Sequence, residues 1–395
     1  MNATDGNGPA RGRRILIVLQ DLPFFLTHRL AVALAARDRG LDIHVAAPPD
    51  PRAEARLAAE GLSFHPLPVR RGGRNPLAEL VALHALWRLM RAVRPDAVHL
   101  VSIKPVLYGG IAARLARVPG AVMAITGLGF IFTQDSAANR LLRPLVRAAY
   151  RVALGHPRAR VIFQNRDDFG LFRAGGLVAA DKVVMIKGCG VDLKVFAPPL
   201  SPPAAAGGAP VVLFPARLLG DKGLHEFVEA ARILKAEGVP GRFVVVGRHD
   251  PGNPTDVGPA RMAEWTAAGL IEHWGFSTDM AATLREADVA CLPSYREGMP
   301  RALMEAAAAG LPVVTTDVPG CREAILDGET GFLVPVRDGV ALAAALRRLL
   351  TDADLRRTMA EAARRLARDE FSVEDFVARS LAAYDAVLPP ASSVR

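Results

Sequence analysis

Several common features are scarce or missing in this 395-residue chain. It has three cysteines, Cys189, Cys291 and Cys321. Their spacing matches neither a disulfide framework nor a zinc site, so a reducing compartment fits. Residues 1–14 contain no apolar stretch, unlike a secretory signal. No run approaches the roughly 20 apolar residues needed to span a bilayer. These absences predict a cytoplasmic protein that is soluble or rests on a membrane surface. A Gly-x-Gly-x-x-Gly fingerprint after the first apolar run is also lacking, which argues against a dinucleotide-dependent dehydrogenase. Asp and His are scattered without ligand spacing, so no metal site is expected. Aromatic residues make up only 6% of the chain.

The chain is rich in apolar residues, at 51%, with Ala and Leu prominent, which suits helices packed over a buried sheet. Its length points to two domains. The net charge of +9 is unevenly spread. Residues 1–200 hold 28 Lys and Arg against 14 Asp and Glu, whereas residues 201–395 hold 21 against 26. The basic half suits an anionic lipid, a nucleic acid or a phosphorylated substrate.

Residues 15–19, Ile-Leu-Ile-Val-Leu, read as a strand buried on both faces. Helices at about 27–40, 77–93, 108–117 and 138–153 alternate with strands at 42–47, 97–101, 121–125 and 160–164. Residues 197–210 hold too many prolines and glycines for a helix or central strand and read as a linker. Beyond it the alternation restarts. Strands fall at 210–215, 242–246, 288–292, 312–315 and 332–334, with helices at 222–237, 258–268, 279–286, 300–309 and 339–350. Two further helices, at about 353–368 and 373–387, follow. The expected class is α/β, with two doubly wound Rossmann-like domains facing a cleft at the carboxyl ends of their strands.

The strongest chemical signal is residues 293–310. An apolar run leads into a loop carrying Glu297, then a helix carrying Glu305, with Pro300 expected in its first turn. A helix start offers backbone N–H groups and a positive dipole end to a negatively polarised ligand. The bland alternative is a capping Glu and a surface Glu. The second signal is residues 214–223, a strand-to-helix turn carrying Arg217 and Lys222. Two cations on such a turn suit a diphosphate.

The stretch Glu297-Gly-Met-Pro-Arg-Ala-Leu-Met-Glu305 resembles the Glu-x7-Glu motif of family-four retaining glycosyltransferases, which have the GT-B fold. The similarity continues through residues 310–323 and 328–335. Residues 214–223 resemble that family's phosphate-binding segment. The resemblance implies that Arg217 and Lys222 hold the donor diphosphate, and that Glu305 binds the ribose. It further implies that Glu297 contacts the transferred sugar, with backbone around Gly298, Met299, Pro300 and Arg301. It places a nucleotide-sugar-binding domain at 211–371. An acceptor-binding domain is expected at 12–196, with a C-terminal helix at 372–389 packing back on it.

Residues 103–110, 125–130, 163–168 and 188–192 are similar to a narrower subgroup that adds sugars, often N-acetylgalactosamine, to polyprenyl-diphosphate-linked saccharides. This implies a UDP-sugar donor, a lipid-linked acceptor, no cofactor, no metal and no nucleic acid. Many family members carry a His near Thr126; here Thr126 and Gly127 open a Gly-rich segment with none. These two are expected to line a sugar pocket or simply to form a tight turn. His28 falls in the first loop, and His44 and His99 are expected to pack in strands. A sugar-nucleotide 2-epimerase of GT-B fold and a nucleotide-sugar sensor remain as alternatives. Arg140, Arg143, Arg147 and Arg151 share an arc of about 80° on one helix, with Leu142 and Leu145 expected on the opposite side. That face is expected to meet anionic lipid on the inner leaflet, as a peripheral attachment, although Pro144 threatens to break the helix.

Overall fold

The computed structural model describes residues 12–68, 76–127, 137–198 and 208–390. Most of the expected linker, residues 199–207, lies outside them, as do residues 128–130 of the Gly-rich segment. The chain divides into two compact units: residues 1–163, 168–186 and 377–395 form unit 1, and residues 164–167 and 187–376 form unit 2.

Unit 1 begins with β1 (Arg14–Val18), α1 (Leu22–His28), α2 (Leu30–Asp38), β2 (Asp42–Ala47), α3 (Pro51–Ala59), β3 (Ser63–Pro66), α4 (Pro76–Val93) and β4 (Ala97–Val101). A π-helical turn at Pro105–Gly109 leads into α5 (Gly110–Leu115), β5 (Gly120–Ile125), α6 (Ala137–Leu154), β6 (Ala159–Phe163), α7 (Arg166–Ala174) and β7 (Val183–Met185). The seven strands are all parallel, in the order β3-β2-β1-β4-β5-β6-β7. Every residue of β4 and β5 is buried. This is why these strands read as continuous apolar runs: in a parallel sheet helices cover both faces.

Residues 377–390 group with unit 1. The Tyr384 hydroxyl lies 2.8 Å from His99 Nδ1 inside the core, and a side chain on Gly120 would overlap the Val387 backbone.

Unit 2 contains β8 (Val211–Pro215), a short 3-10 turn (Gly220–Lys222), α8 (Leu224–Ala236), β9 (Arg242–Val246), α9 (Pro259–Ala267) and β10 (Glu272–Gly275). Then come α10 (Met280–Arg285), β11 (Val289–Leu292), α11 (Arg301–Ala308), β12 (Val313–Thr316) and β13 (Gly331–Val334). The helices α12 (Gly339–Thr351) and α13 (Ala353–Glu370) follow, and α14 (Val373–Asp385) starts in unit 2 and runs from residue 377 on in unit 1. Six parallel strands are ordered β10-β9-β8-β11-β12-β13. The strand order reverses between β1 and β4 in unit 1, and between β8 and β11 in unit 2. In open α/β sheets such reversals, at the carboxyl ends of the strands, form ligand crevices.

The structure corrects several expectations. The helix expected at 27–40 is two helices broken at Arg29, whose backbone leaves the helical region at φ −134° and ψ −13°. The first of them starts earlier than expected because Asp21 caps it, accepting from the Phe24 N–H at 2.9 Å. The short elements α3, β3, α7 and β10 carry no continuous apolar run and left no clear periodic signal, while β7 is apolar but only three residues long. Pro300 is the cap residue before α11 and lies outside its first turn. The chain enters unit 2 at Lys187, ahead of the expected boundary at 196, because Gly188 packs against Met299 and Met304. Pro144 does not interrupt α6. A proline in a helix interior costs about 3 kcal/mol, and here Tyr150, Ala153 and Leu154 anchor the second half of α6 in the core. The leucines in the first half of α6 are not its core side: Leu141 is 81% exposed, Leu142 45% and Leu145 68%.

Candidate active site

The candidate catalytic residues of unit 2 gather at its strand reversal. After β8 the chain turns through Gly220–Lys222 and reaches Gly223, which has φ +78°. Any side chain on Gly223 would run into the Pro293 carbonyl just beyond β11. Only glycine permits both the left-handed backbone and this approach, which lays the β8 turn against the loop after β11.

In consequence Lys222 Nζ forms an ion pair with Glu297 Oε1. Both side chains are mostly buried, so the pair is weakly screened. The buried Ser294 hydroxyl donates to the same carboxylate oxygen at 2.7 Å. The Glu297 N–H donates to the Pro319 carbonyl at 3.2 Å. Gly320, at φ +82°, lets that second loop pass directly over the backbone of Glu297 and Gly298, where a Cβ would collide. Glu297 is thus held from three directions, at its carboxylate and through its backbone.

Gly298 is fixed through its carbonyl, which accepts from Asn165 Nδ2 at 2.8 Å. Met299 is buried. Pro300 follows in extended conformation and caps α11 with no side-chain hydrogen bond, leaving this helix start open to a ligand oxygen. Arg301 opens the helix and donates from Nε to Glu305 Oε1 at 2.6 Å, one turn on. Glu305 is not the surface Glu of the bland alternative, being only 7% exposed. Burial pushes its carboxyl pKa up, against the opposing pull of the Arg301 charge and hydrogen bond.

Arg217 leaves the end of β8 and pairs through Nη1 with Asp250 Oδ2. Asp250 comes from the loop after β9. Gly247 at the start of that loop sits so close to the Ala216 carbonyl that no Cβ fits. The two candidate cations therefore have different carboxylate partners, Asp250 for Arg217 and Glu297 for Lys222.

Sequence reasoning missed Asp250, Ser294 and Asn165. The first two lie just past the ends of β9 and β11, where the strand-end rule had power to find them. Asn165 likewise lies just past the end of β6, within the segment 163–168 that resembles the subgroup, but no role was assigned to it there. Thr126 and Gly127 belong to unit 1, at the carboxyl end of β5, where Thr126 Oγ1 donates to Ser102 Oγ at 3.2 Å. His28 ends α1, stacked on Phe24 with ring centroids 3.8 Å apart. His99 is packed as expected, and burial holds its pKa well below the ordinary imidazole value. His44 lies 2.8 Å from His65 across the β2–β3 pair.

Comparison with known proteins matches the two halves of the chain to two related families. Residues 15–165 match the glycosyl transferase 4-like family, and residues 201–366 match the glycosyl transferases group 1 family. The N,N'-diacetylbacillosaminyl-diphospho-undecaprenol alpha-1,3-N-acetylgalactosaminyltransferase of Campylobacter jejuni is 28% identical over 371 residues, 91% of this chain and 95% of its own. The UDP-Gal:alpha-D-GlcNAc-diphosphoundecaprenol alpha-1,3-galactosyltransferase of Escherichia coli is 28% identical, covering 70% of this chain and 72% of its own. Among solved structures, a Rickettsia africae glycosyltransferase superposes with a TM-score of 0.77 at 19% identity, covering 96% of this chain and all of that one. Anabaena HepE in complex with UDP and glucose gives 0.74 at 20% identity, covering 95% and all. These likenesses establish the fold as GT-B. With both halves matched to glycosyltransferase families and a relative aligned along nearly the whole length, the chain belongs to the family-four glycosyltransferases.

Proposed function

We propose that this enzyme moves N-acetylgalactosamine or a related hexose from a UDP-sugar to a polyprenyl-diphosphate-linked saccharide, with retention and without a metal. The observation that carries the acceptor class is the Campylobacter jejuni relative, whose similarity extends over 95% of its length. The Escherichia coli relative also acts on a diphosphoundecaprenol-linked sugar. Neither name describes an epimerase or a sensor, and the intact Lys222–Glu297 pair speaks against a degenerate site.

The chemistry assigned to unit 2 follows from its charges. Arg217 and Lys222 take the donor diphosphate, Arg by a fork of donors and Lys as a point charge. As the bond from the sugar C1 to the phosphate oxygen breaks, charge grows on the leaving UDP. Fixed cations stabilise that charge with little reorganisation. The acceptor hydroxyl attacks C1 on the face the phosphate leaves, and its proton passes to the departing phosphate oxygen. Glu297, held by Lys222 and Ser294, accepts from hydroxyls of the transferred sugar. Glu305 accepts from the ribose. Backbone N–H groups at the open start of α11, from Arg301 onward, meet the sugar and distal phosphate. Thr126 and Gly127 contribute sugar contacts from unit 1.

Unit 1 is assigned the acceptor and the membrane contact. Among the described residues no helix is long and apolar enough to cross a membrane. The α6 helix carries Arg140, Arg143, Arg147 and Arg151 on one arc and the exposed Leu141, Leu142 and Leu145 away from it. A basic face and an exposed leucine face on one helix suit the boundary between headgroups and acyl chains, and each Arg near an anionic leaflet contributes about 1 kcal/mol. The reading is a peripheral attachment to the inner leaflet. Arg151 is partly engaged, donating to the Gly175 carbonyl at 3.2 Å.

A panel of UDP-sugars incubated with a polyprenyl-diphosphate N-acetylhexosamine tests the activity. The expected result is one extended lipid-linked saccharide whose new linkage, read by NMR, keeps the donor's anomeric configuration. An inverted linkage refutes retention. Interconversion of the UDP-sugar without lipid would return the epimerase reading.

A further inference from the structure

The strand reversal of unit 1 carries its own polar cluster, which shares only Thr126 with the residues assigned above. Just past β4, Ser102 adopts φ +77°, a conformation that costs a non-glycine residue on the order of 1–3 kcal/mol and persists where surrounding structure enforces it. Its N–H donates to the Ala124 carbonyl at 3.1 Å, its own carbonyl accepts from Val106 at 3.0 Å, and its hydroxyl accepts from Thr126. The chain then makes the π-helical turn Pro105–Gly109, a rare form frequent at functional sites. Lys104, at the head of this turn, places Nζ 2.5 Å from Glu79 Oε1 on α4. Their side chains are 17% and 20% exposed. Tyr108 is on the same turn; burial, then the neighbouring Glu79 carboxylate, pushes its phenol up to about 12.

A half-buried ion pair is a weak stabiliser, since apolar side chains of similar volume often do as well. The strained serine beside it adds a further cost. Both features lie where doubly wound sheets bind ligands. The chemistry of the cluster is mixed: a carboxylate that accepts, an ammonium that donates, and a phenol and two hydroxyls that do both. Sugar hydroxyls need that mixture. A diphosphate does not, because Glu79 would repel it.

We propose that Glu79, Lys104 and Tyr108, with Ser102 and Thr126, form the subsite that binds the saccharide hydroxyls of the acceptor. The inference rests on the function proposed above and gives these residues a specificity role in it.

The test uses Glu79→Gln, Lys104→Met and Tyr108→Phe in the full-length enzyme, with a polyprenyl-diphosphate N-acetylhexosamine as acceptor and UDP as probe of the donor site. Losing one hydrogen bond to a charged group raises the acceptor KM by about tenfold or more in the first two variants, and by a few-fold in the third. UDP affinity by calorimetry is expected to stay within about twofold of wild type, since the donor residues are untouched. A purely structural pair would instead lower thermal stability and shift both ligands, or neither. Folded variants with the wild-type acceptor KM overturn the inference alone. Should the two ion-pair variants fail to fold, Tyr108→Phe decides by the same comparison. A wild-type enzyme that transfers nothing to any polyprenyl-diphosphate saccharide overturns the underlying function, and the inference with it.

Discussion

Lys222 and Glu297 form an ion pair across 75 residues of sequence, with Ser294 bonded to the same carboxylate oxygen. The pair joins the turn after β8 to the loop after β11, the two strands flanking the reversal in unit 2. One member is assigned to the donor phosphate and the other to the transferred sugar, so the pair fixes the two recognition elements against each other. Lys222→Met is expected to slow turnover by about a hundredfold, the loss of on the order of 3 kcal/mol when one donor to developing charge is removed. Single-turnover kinetics with an intact circular dichroism spectrum checks this. Turnover near wild type would remove Lys222 from the reaction.

Arg217 tests whether fork geometry matters. Arg217→Lys keeps the charge but loses the planar donors, so kcat is expected to fall by about tenfold or more, with Arg217→Ala lower still at about a hundredfold. Asp250→Asn supplies the contrast: it releases Arg217 from its carboxylate and is expected to alter KM for the donor more than kcat. Equal rates for Arg217→Lys and wild type would assign Arg217 a structural role with Asp250.

Glu305 predicts a divergence between stability and binding. Its folded pKa is raised above the ordinary value of 4.5, first by burial and despite Arg301. The folded protein therefore holds this proton to higher pH than the unfolded chain. The group's contribution to stability is fully present below the ordinary carboxylate range and is lost as pH rises through the raised value. At neutral pH, Glu305→Gln removes a buried charge and is expected to leave Tm unchanged or higher. UDP affinity is expected to fall by about tenfold, because the charged acceptor for the ribose is gone. Calorimetry and thermal unfolding on one preparation measure both. A lower Tm with unchanged UDP affinity would make Glu305 a structural residue.

The α6 helix predicts a salt-sensitive membrane contact. Flotation with anionic vesicles is expected for wild type at low salt and is weakened as ionic strength shortens the Debye length. Changing Arg140, Arg143, Arg147 and Arg151 together to Gln is expected to abolish it. Leu141→Ser with Leu145→Ser is expected to weaken it even at low salt, because these side chains are exposed. Equal flotation of all three proteins would remove α6 from membrane binding and leave the donor site untouched.

The sequence by itself determined the alternation of strands and helices and the place of the donor motif. Buried parallel strands such as β4 and β5 are almost wholly apolar, and a helix start such as that of α12 is marked by Asp338 immediately before it. Those signals are local, so a linear reading reaches them. Tertiary structure decided which charges meet. Arg217 and Lys222 lie five positions apart, yet one answers to Asp250 after β9 and the other to Glu297 after β11. That choice follows from the strand order β10-β9-β8-β11, which puts β8 between the two partner strands. The same holds for Glu79 and Lys104, brought together by the packing of α4 on the turn after β4. On α6, helical periodicity placed the arginines on one face, but which residues meet the core was decided by neighbours around Tyr150 and Leu154. Among the described residues, Leu141, Leu142 and Leu145 lie outside that cluster and are exposed. Burial depends on what the rest of the chain brings to a surface, and a helical pattern states only which residues would share it.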